Sequence, residues 1–142
     1  MKMRIVSKSG RTPDYATGGA AGFDISAYLD KPFVLKAGER ALIPTGLYFE
    51  VPEGYEAQVR ARSGLAIKHG IGLVNGIGKV DADYRGEIKV PMINWGDEDF
   101  VINDGDRIAQ VVITSYCKAE IELADEISKT ERGEGGFGHT GL

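Results

Sequence analysis

One cysteine in 142 residues, Cys117, excludes an internal disulfide and falls far short of a structural zinc set. The expectation is a reducing compartment, with Cys117 buried beside Tyr116 as a small hydrophobe. The two histidines, His69 and His139, lie far apart, and neither stands in a metal-ligand spacing. No run of about 18 apolar residues occurs, and the opening MKMRIV turns polar too soon for a signal peptide. An intracellular, cytoplasmic protein with no membrane partner is therefore expected. Positive charge is also in deficit: a formal net charge of -4 argues against a nucleic-acid partner held by counterion release, so any phosphate site must be local. Walker-type loops, CxxC, HExxH and GxSxG are all missing. There is no long run of helix formers, and prolines number five against 20 glycines. That balance favours short strands and tight turns over a helix bundle.

What is present is a series of short apolar clusters: 5–6, 33–35, 41–43, 47–51, 57–59, 71–74, 88–93 and 108–113. Glycine, proline and Asx turns punctuate nearly all of them, at 36–39, 52–54, 75–76, 95–97 and 103–106. With 42% hydrophobic residues the chain can fill one core, and the pattern reads as a single all-β sandwich or jelly roll. One helix of at most two turns is expected, after Ser63 and stopping at Gly70. Composition shifts near Lys129, where KTERGEGGFGHTGL begins, so residues 1–128 are expected to form the core and 129–142 an arm. Such an end is either plainly disordered or a lid. A lone Phe137 among glycines, near Arg132 and Thr140, suits a lid that orders over a ligand.

Three segments could carry chemistry. In RARSGLA, 60–66, a guanidinium, a hydroxyl and a helix start could bind an anion; equally, Ser63 could simply cap the helix while Arg62 is solvated. In VNGIGKVDADYRGE, 74–87, Asp81 and Asp83 share a face if extended, with Tyr84 on the other, and Gly76 and Gly78 allow close approach of a flat ligand. An aspartate there could activate water or hold a metal, although Asn75-Gly76 also suits an ordinary hairpin turn. In GDRIAQVVI, 105–113, alternation puts Gln110 with the apolar Ile108 and Val112, on a buried face where a ligand could satisfy it, or on an exposed edge.

Taken in order, AGFDISA (21–27), RSGLA (62–66), NGIGKVDADYRG (75–86), GDRIAQ (105–110) and RGEGGFGHTG (132–141) resemble the five motifs of the trimeric dUTPase family. The resemblance implies a jelly-roll-like β-clip subunit, a homotrimer, and active sites at subunit interfaces closed by a C-terminal arm. It implies hydrolysis of dUTP to dUMP and pyrophosphate with Mg²⁺, which limits uracil incorporation into DNA and supplies dUMP for dTMP synthesis. Asp81 would be the general base, and Asp24 would hold magnesium through water. Arg62, Ser63, Gly64 and Gln110 would bind the phosphate chain. Asn75 and the backbone around Gly78 and Val80 would read uracil, with Tyr84 under the deoxyribose. From the arm, Phe137 would stack on the base, while Arg132, Gly138, His139 and Thr140 would hold the γ-phosphate.

Three positions depart from the family pattern. Ala61 stands where proline is common, His139 stands where serine is usual, and Lys79 stands where an apolar residue is frequent. Histidine titrates near physiological pH, so arm closure is expected to depend on pH. Lys79 is expected to project away from the base. Two other functions remain to be weighed: a bifunctional dCTP deaminase/dUTPase and a non-catalytic nucleotide-sensing module. Pro91 stands where a deaminase would place its glutamate, and a sensor should have lost Asp81, Arg132 or Phe137, all of which are present.

Overall fold

The computed structural model describes residues 1–139. Ten strands and one helix appear among them: β1 Arg4–Ser7, β2 Gly22–Ser26, β3 Phe33–Leu35, β4 Arg40–Glu50, β5 Tyr55–Arg60, α1 Ser63–His69, β6 Ile71–Leu73, β7 Ile77–Val80, β8 Glu87–Asn94, β9 Phe100–Ile102 and β10 Arg107–Ser115. One sheet runs β1-β4-β8-β6, a second β2-β10-β5-β7, and a short third pairs β3 with β9. All pairings between strands are antiparallel. The all-β jelly-roll expectation holds.

No two consecutive strands pair among the described residues. The turns expected to reverse a strand onto itself instead carry the chain from one sheet to another. Asn75-Gly76 is the instructive case: it is a turn, closed by Gly76 N–H to Leu73 O at 3.1 Å, but it links β6 of the first sheet to β7 of the second and makes no hairpin. Because each strand finds its partner across the fold, the two inner faces close over one core. Alternation along β8 buries Ile88, Val90, Met92 and Asn94, and Val59 and Val111 face them from the second sheet. Asn94 is buried without strain on its polar atoms: its amide donates to Leu35 O and Glu98 O and accepts from Gly96 N–H.

The clusters at 41–43 and 47–51 prove to be one strand, β4, interrupted by a register shift between Pro44 and Leu47. Proline cannot donate to the ladder, so it sits where the pairing is already irregular. Thr45 Oγ1 bridges the gap by donating to Ile88 O at 2.5 Å. Strands β2 and β7 have no continuous apolar cluster to mark them, and β9, Phe100–Ile102, is an apolar run as long as 33–35 that the sequence reading passes over. The helix, by contrast, ends at Gly70 as expected, because Gly70 adopts φ 67° and its N–H closes on Ala66 O. Its start differs: Arg62 occupies the capping position with no side-chain cap bond, so Ser63 is not the cap.

Past Ser115 the described chain forms no strand or helix. Cys117 is exposed rather than buried, since the segment that carries it leaves the core. No helix among the described residues is long and apolar enough to cross a membrane.

Candidate functional site

The first cluster of expected site residues gathers where β2, β10 and the end of β5 meet. Asp24, on β2, sits opposite Gln110 in the antiparallel register with β10, and Gln110 sits opposite Arg60 on β5. Two arginines bracket the Asp24 carboxylate: Arg62 Nε lies 3.4 Å from Oδ1 and Arg107 Nη1 lies 3.2 Å from Oδ2. Arg62 also donates to the backbone carbonyl of Arg107 at 2.8 Å, which ties the start of α1 to the start of β10. Two guanidinium groups against one carboxylate leave a local excess of positive charge on a chain that is acidic overall. Ser63 and Gly64 follow Arg62 in the first turn of α1, where backbone N–H groups lack intrahelical partners. A cleft of about 660 Å³ opens beside the cluster, with Asp24, Arg107 and Gln110 in its wall.

Arg107 is the residue that sequence reasoning missed here. Its spacing within GDRIAQ carries no sign of its partner, because Asp24 is 83 residues away. Gln110 also differs from expectation. A register shift between Arg107 and Ala109 breaks the parity, so Ala109 and Val111 face the core while Gln110 lies half-buried on the opposite face. It is not on an edge, since β10 lies between β2 and β5, and its Nε2 donates to Ala61 O at 3.1 Å.

The second cluster lies at the far side of the same sheet. Asn75, Gly78, Val80, Asp81 and Tyr84 line one cleft of about 260 Å³, closed behind by Val59, Ile88 and Pro91. Ligand sites for whole drug-sized molecules begin at about 300 Å³, so this cleft suits a single ring rather than an entire nucleotide. The two glycines serve it differently. Gly76 is needed for its φ of 68°, with open space where a β-carbon would stand. At Gly78 a β-carbon would come within 3.3 Å of Asn75 Nδ2, so its absence lets the Asn75 amide lie over the strand. The loop after β7 is not extended: Tyr84 N–H closes a turn on Asp81 O at 3.1 Å, which overturns the expectation of Asp81 and Asp83 on one strand face. Tyr84 folds back over Gly86 and donates from its hydroxyl to Glu87 O at 3.1 Å. Lys79 turns toward Asp81. Its Nζ is 2.6 Å from Asp81 Oδ1, and that hydrogen bond holds the ammonium above its ordinary pKa.

The two clefts share no lining residue. Nor does the arm reach either one. Phe137 is fully exposed with φ 50°, Arg132 Nε donates to Gly135 O at 2.8 Å, and Arg132, Gly138 and His139 border a separate shallow hollow. Thr140 lies outside the described residues.

Among the described residues no three His, Cys, Asp or Glu side chains gather as a metal cage. Magnesium does not require one: it keeps several waters and is usually held by one or two carboxylates together with substrate phosphates. Asp24 stands in the wall of the cleft between β2 and β10, and because a guanidinium already stands at each of its oxygens it would hold the ion through water rather than directly.

Known proteins share this sequence and this fold. Residues 8–141 fit the family model described as dUTPase. The deoxyuridine 5'-triphosphate nucleotidohydrolase of Finegoldia magna is 49% identical over 142 residues, covering 99% of each chain. That of Chlamydia pneumoniae is 53% identical over 137 residues, covering 96% of this chain and 94% of the relative. In structure, the Staphylococcus bacteriophage 80alpha dUTPase solved with dUpNHpp superimposes with a TM-score of 0.89 at 29% identity, covering 99% of both chains. With a family match across nearly the whole chain, close relatives of equal length and the same fold, this chain belongs to the dUTPase family.

Proposed function

We propose that this chain hydrolyses dUTP to dUMP and pyrophosphate, with Asp81 as the general base. The observation that supports the reading is that Asp81 lines a ring-sized cleft together with Asn75, Gly78, Val80 and Tyr84. With uracil in that cleft, Asp81 takes a proton from a water that attacks the α-phosphorus. The new bond forms from the water oxygen to phosphorus, the bond to the α–β bridging oxygen breaks, and pyrophosphate leaves with the electron pair.

Arg62, Ser63, Gly64 and Gln110, joined by Arg107, bind the phosphate chain. Positioning and charge neutralisation supply most of the rate in such a displacement. Asp24 holds magnesium through water, and the ion when bound neutralises charge on the triphosphate and the leaving group. Uracil is selected by hydrogen bonds from Asn75 and the backbone around Gly78 and Val80, since stacking alone cannot tell one pyrimidine from another. A site of that kind discriminates by on the order of 10⁴. Tyr84 packs beneath the deoxyribose and crowds a 2′-hydroxyl.

The separation of the two clefts on one chain supports a homotrimer in which the phosphate residues of one subunit face the base cleft of another. Residues 129–142 act as an arm on a core of 1–128, bringing Phe137 onto the base and Arg132, Gly138, His139 and Thr140 onto the γ-phosphate. Deamination is disfavoured by Pro91, which occupies the wall of the base cleft. The test is Asp81→Asn: turnover of dUTP is lost while binding of dUpNHpp persists. Surviving turnover would mean that another group is the base.

A further inference from the structure

Lys79 and Asp81 form a wall common to two openings, the ring-sized cleft and a larger, mixed-charge groove that also takes in Glu56, Asp83 and Arg85. Strand β7 is an edge strand, paired with β5 alone among the described residues, so the Lys79 side chain has Gln58 of β5 as its one cross-strand neighbour. It nevertheless turns to Asp81, with Nζ 2.6 Å from Oδ1. Glu56 and Asp83 line the same groove and add to the negative field around the ammonium. Oδ1 is thus committed to the ammonium, and Oδ2 has no partner among the ion pairs and side-chain hydrogen bonds of the described residues.

We propose that Lys79 is a positioning residue for the hydrolysis: by holding Asp81 through Oδ1 it presents Oδ2 as the oxygen that takes the proton from the attacking water. The inference rests on Asp81 being the base. In the free protein the pair is roughly 60% exposed at both side chains and therefore weakly held. Water leaves when nucleotide fills the cleft, and the same contact then strengthens in a lower dielectric. Restricting a carboxylate to one rotamer removes unproductive orientations, an effect on the chemical step rather than on binding. A neighbouring cation also makes a carboxylate a poorer base, which acts in the opposite direction. The sign of the rate change therefore decides between orientation and basicity.

The experiment is steady-state hydrolysis of dUTP by the full-length wild type, Lys79→Met and Lys79→Arg, together with the affinity of each for dUpNHpp. The expected result is a fall in kcat of about three- to fivefold for Lys79→Met, the size of effect available to a partly exposed ion pair. KM and analogue affinity stay unchanged, and Lys79→Arg recovers most of the rate. An unchanged or increased kcat in Lys79→Met overturns the proposal. So does a parallel loss of analogue affinity, which would make Lys79 a phosphate ligand. A wild type that fails to hydrolyse dUTP, or an Asp81→Asn enzyme that still does, would instead count against the proposed function and is read separately from the Lys79 variants.

Discussion

Asp24 and Arg107 meet across adjacent strands at 3.2 Å, and Arg62 reaches the same carboxylate from the helix start at 3.4 Å. The carboxylate holds both guanidinium groups, and Arg107 stands with it in the cleft wall, so Arg107 presents its remaining donors to a polyanion without first having to be ordered. Arg107→Met should raise KM for dUTP about three- to tenfold with a smaller change in kcat, as expected for a charged contact that is partly exposed. Steady-state kinetics check it. A KM that does not move would leave Arg107 with a purely structural part.

Tyr84 and Gly86 set a second expectation. A β-carbon at position 86 would collide with the phenol oxygen and ring carbons of Tyr84, so the ring can fold back only over glycine. Gly86→Ala should push the ring from its place and cost on the order of 1–3 kcal/mol in local strain. The measured consequence is a reduced preference for dUTP over UTP, by about tenfold if that strain is released through Tyr84. An unchanged preference would separate Tyr84 from sugar selection.

Acid stability follows from Arg11 and Asp104. Arg11 Nη1 and Nη2 each donate to the Asp104 carboxylate at 2.9 Å, and Leu29 N–H adds a third bond. Chiefly through the Arg11 hydrogen bond, the Asp104 pKa falls from 3.8 to about 2. A depressed carboxylate stabilises the folded state above its unfolded pKa, and that contribution is lost as pH falls through the folded value. The wild type should therefore lose the contribution between about pH 4 and pH 2. In Asp104→Asn the melting temperature should be lower at neutral pH and flatter across that window. Parallel melting curves against pH would contradict this.

Removing residues from Arg132 onward should leave the core folded, because the described arm residues 132–139 contribute nothing to the buried cluster. Turnover should fall by roughly 100-fold or more if the arm completes the site around the nucleotide. The paired readouts are circular dichroism on melting and dUTP hydrolysis. Full activity in a folded truncation would remove the lid from the account.

Local signals in the sequence were legible, and long-range ones were not. The helix could be bounded because Gly70 closes it within one turn. The ring-sized cleft could be anticipated because Asn75, Gly78, Val80, Asp81 and Tyr84 lie within ten residues of one another, so a single turn gathers them. Strand pairing could not be read: with no consecutive strands paired, the residue opposite Gln110 is Asp24 on one side and Arg60 on the other. Parity failed at β10 because a one-residue irregularity moves every later side chain to the other face. The exposure of Cys117 was hidden for a related reason. Its small apolar side chain suits a core, but the segment leaves the sheet after Ser115. The contact of Lys79 with Asp81 is not legible in the sequence, because it depends on where the loop after β7 folds.

The proposed homotrimer has its own check. Light scattering at assay concentration should give three times the mass of the 15.3 kDa chain. A monomer that is fully active would contradict a site shared between subunits.

The most direct measurement is product analysis by ion-exchange chromatography, after separate incubations of the protein and Mg²⁺ with dUTP, dCTP, dTTP and UTP. The account predicts a monophosphate and pyrophosphate from dUTP alone. Formation of dUMP from dCTP, equal cleavage of all four, or no product from any would contradict it.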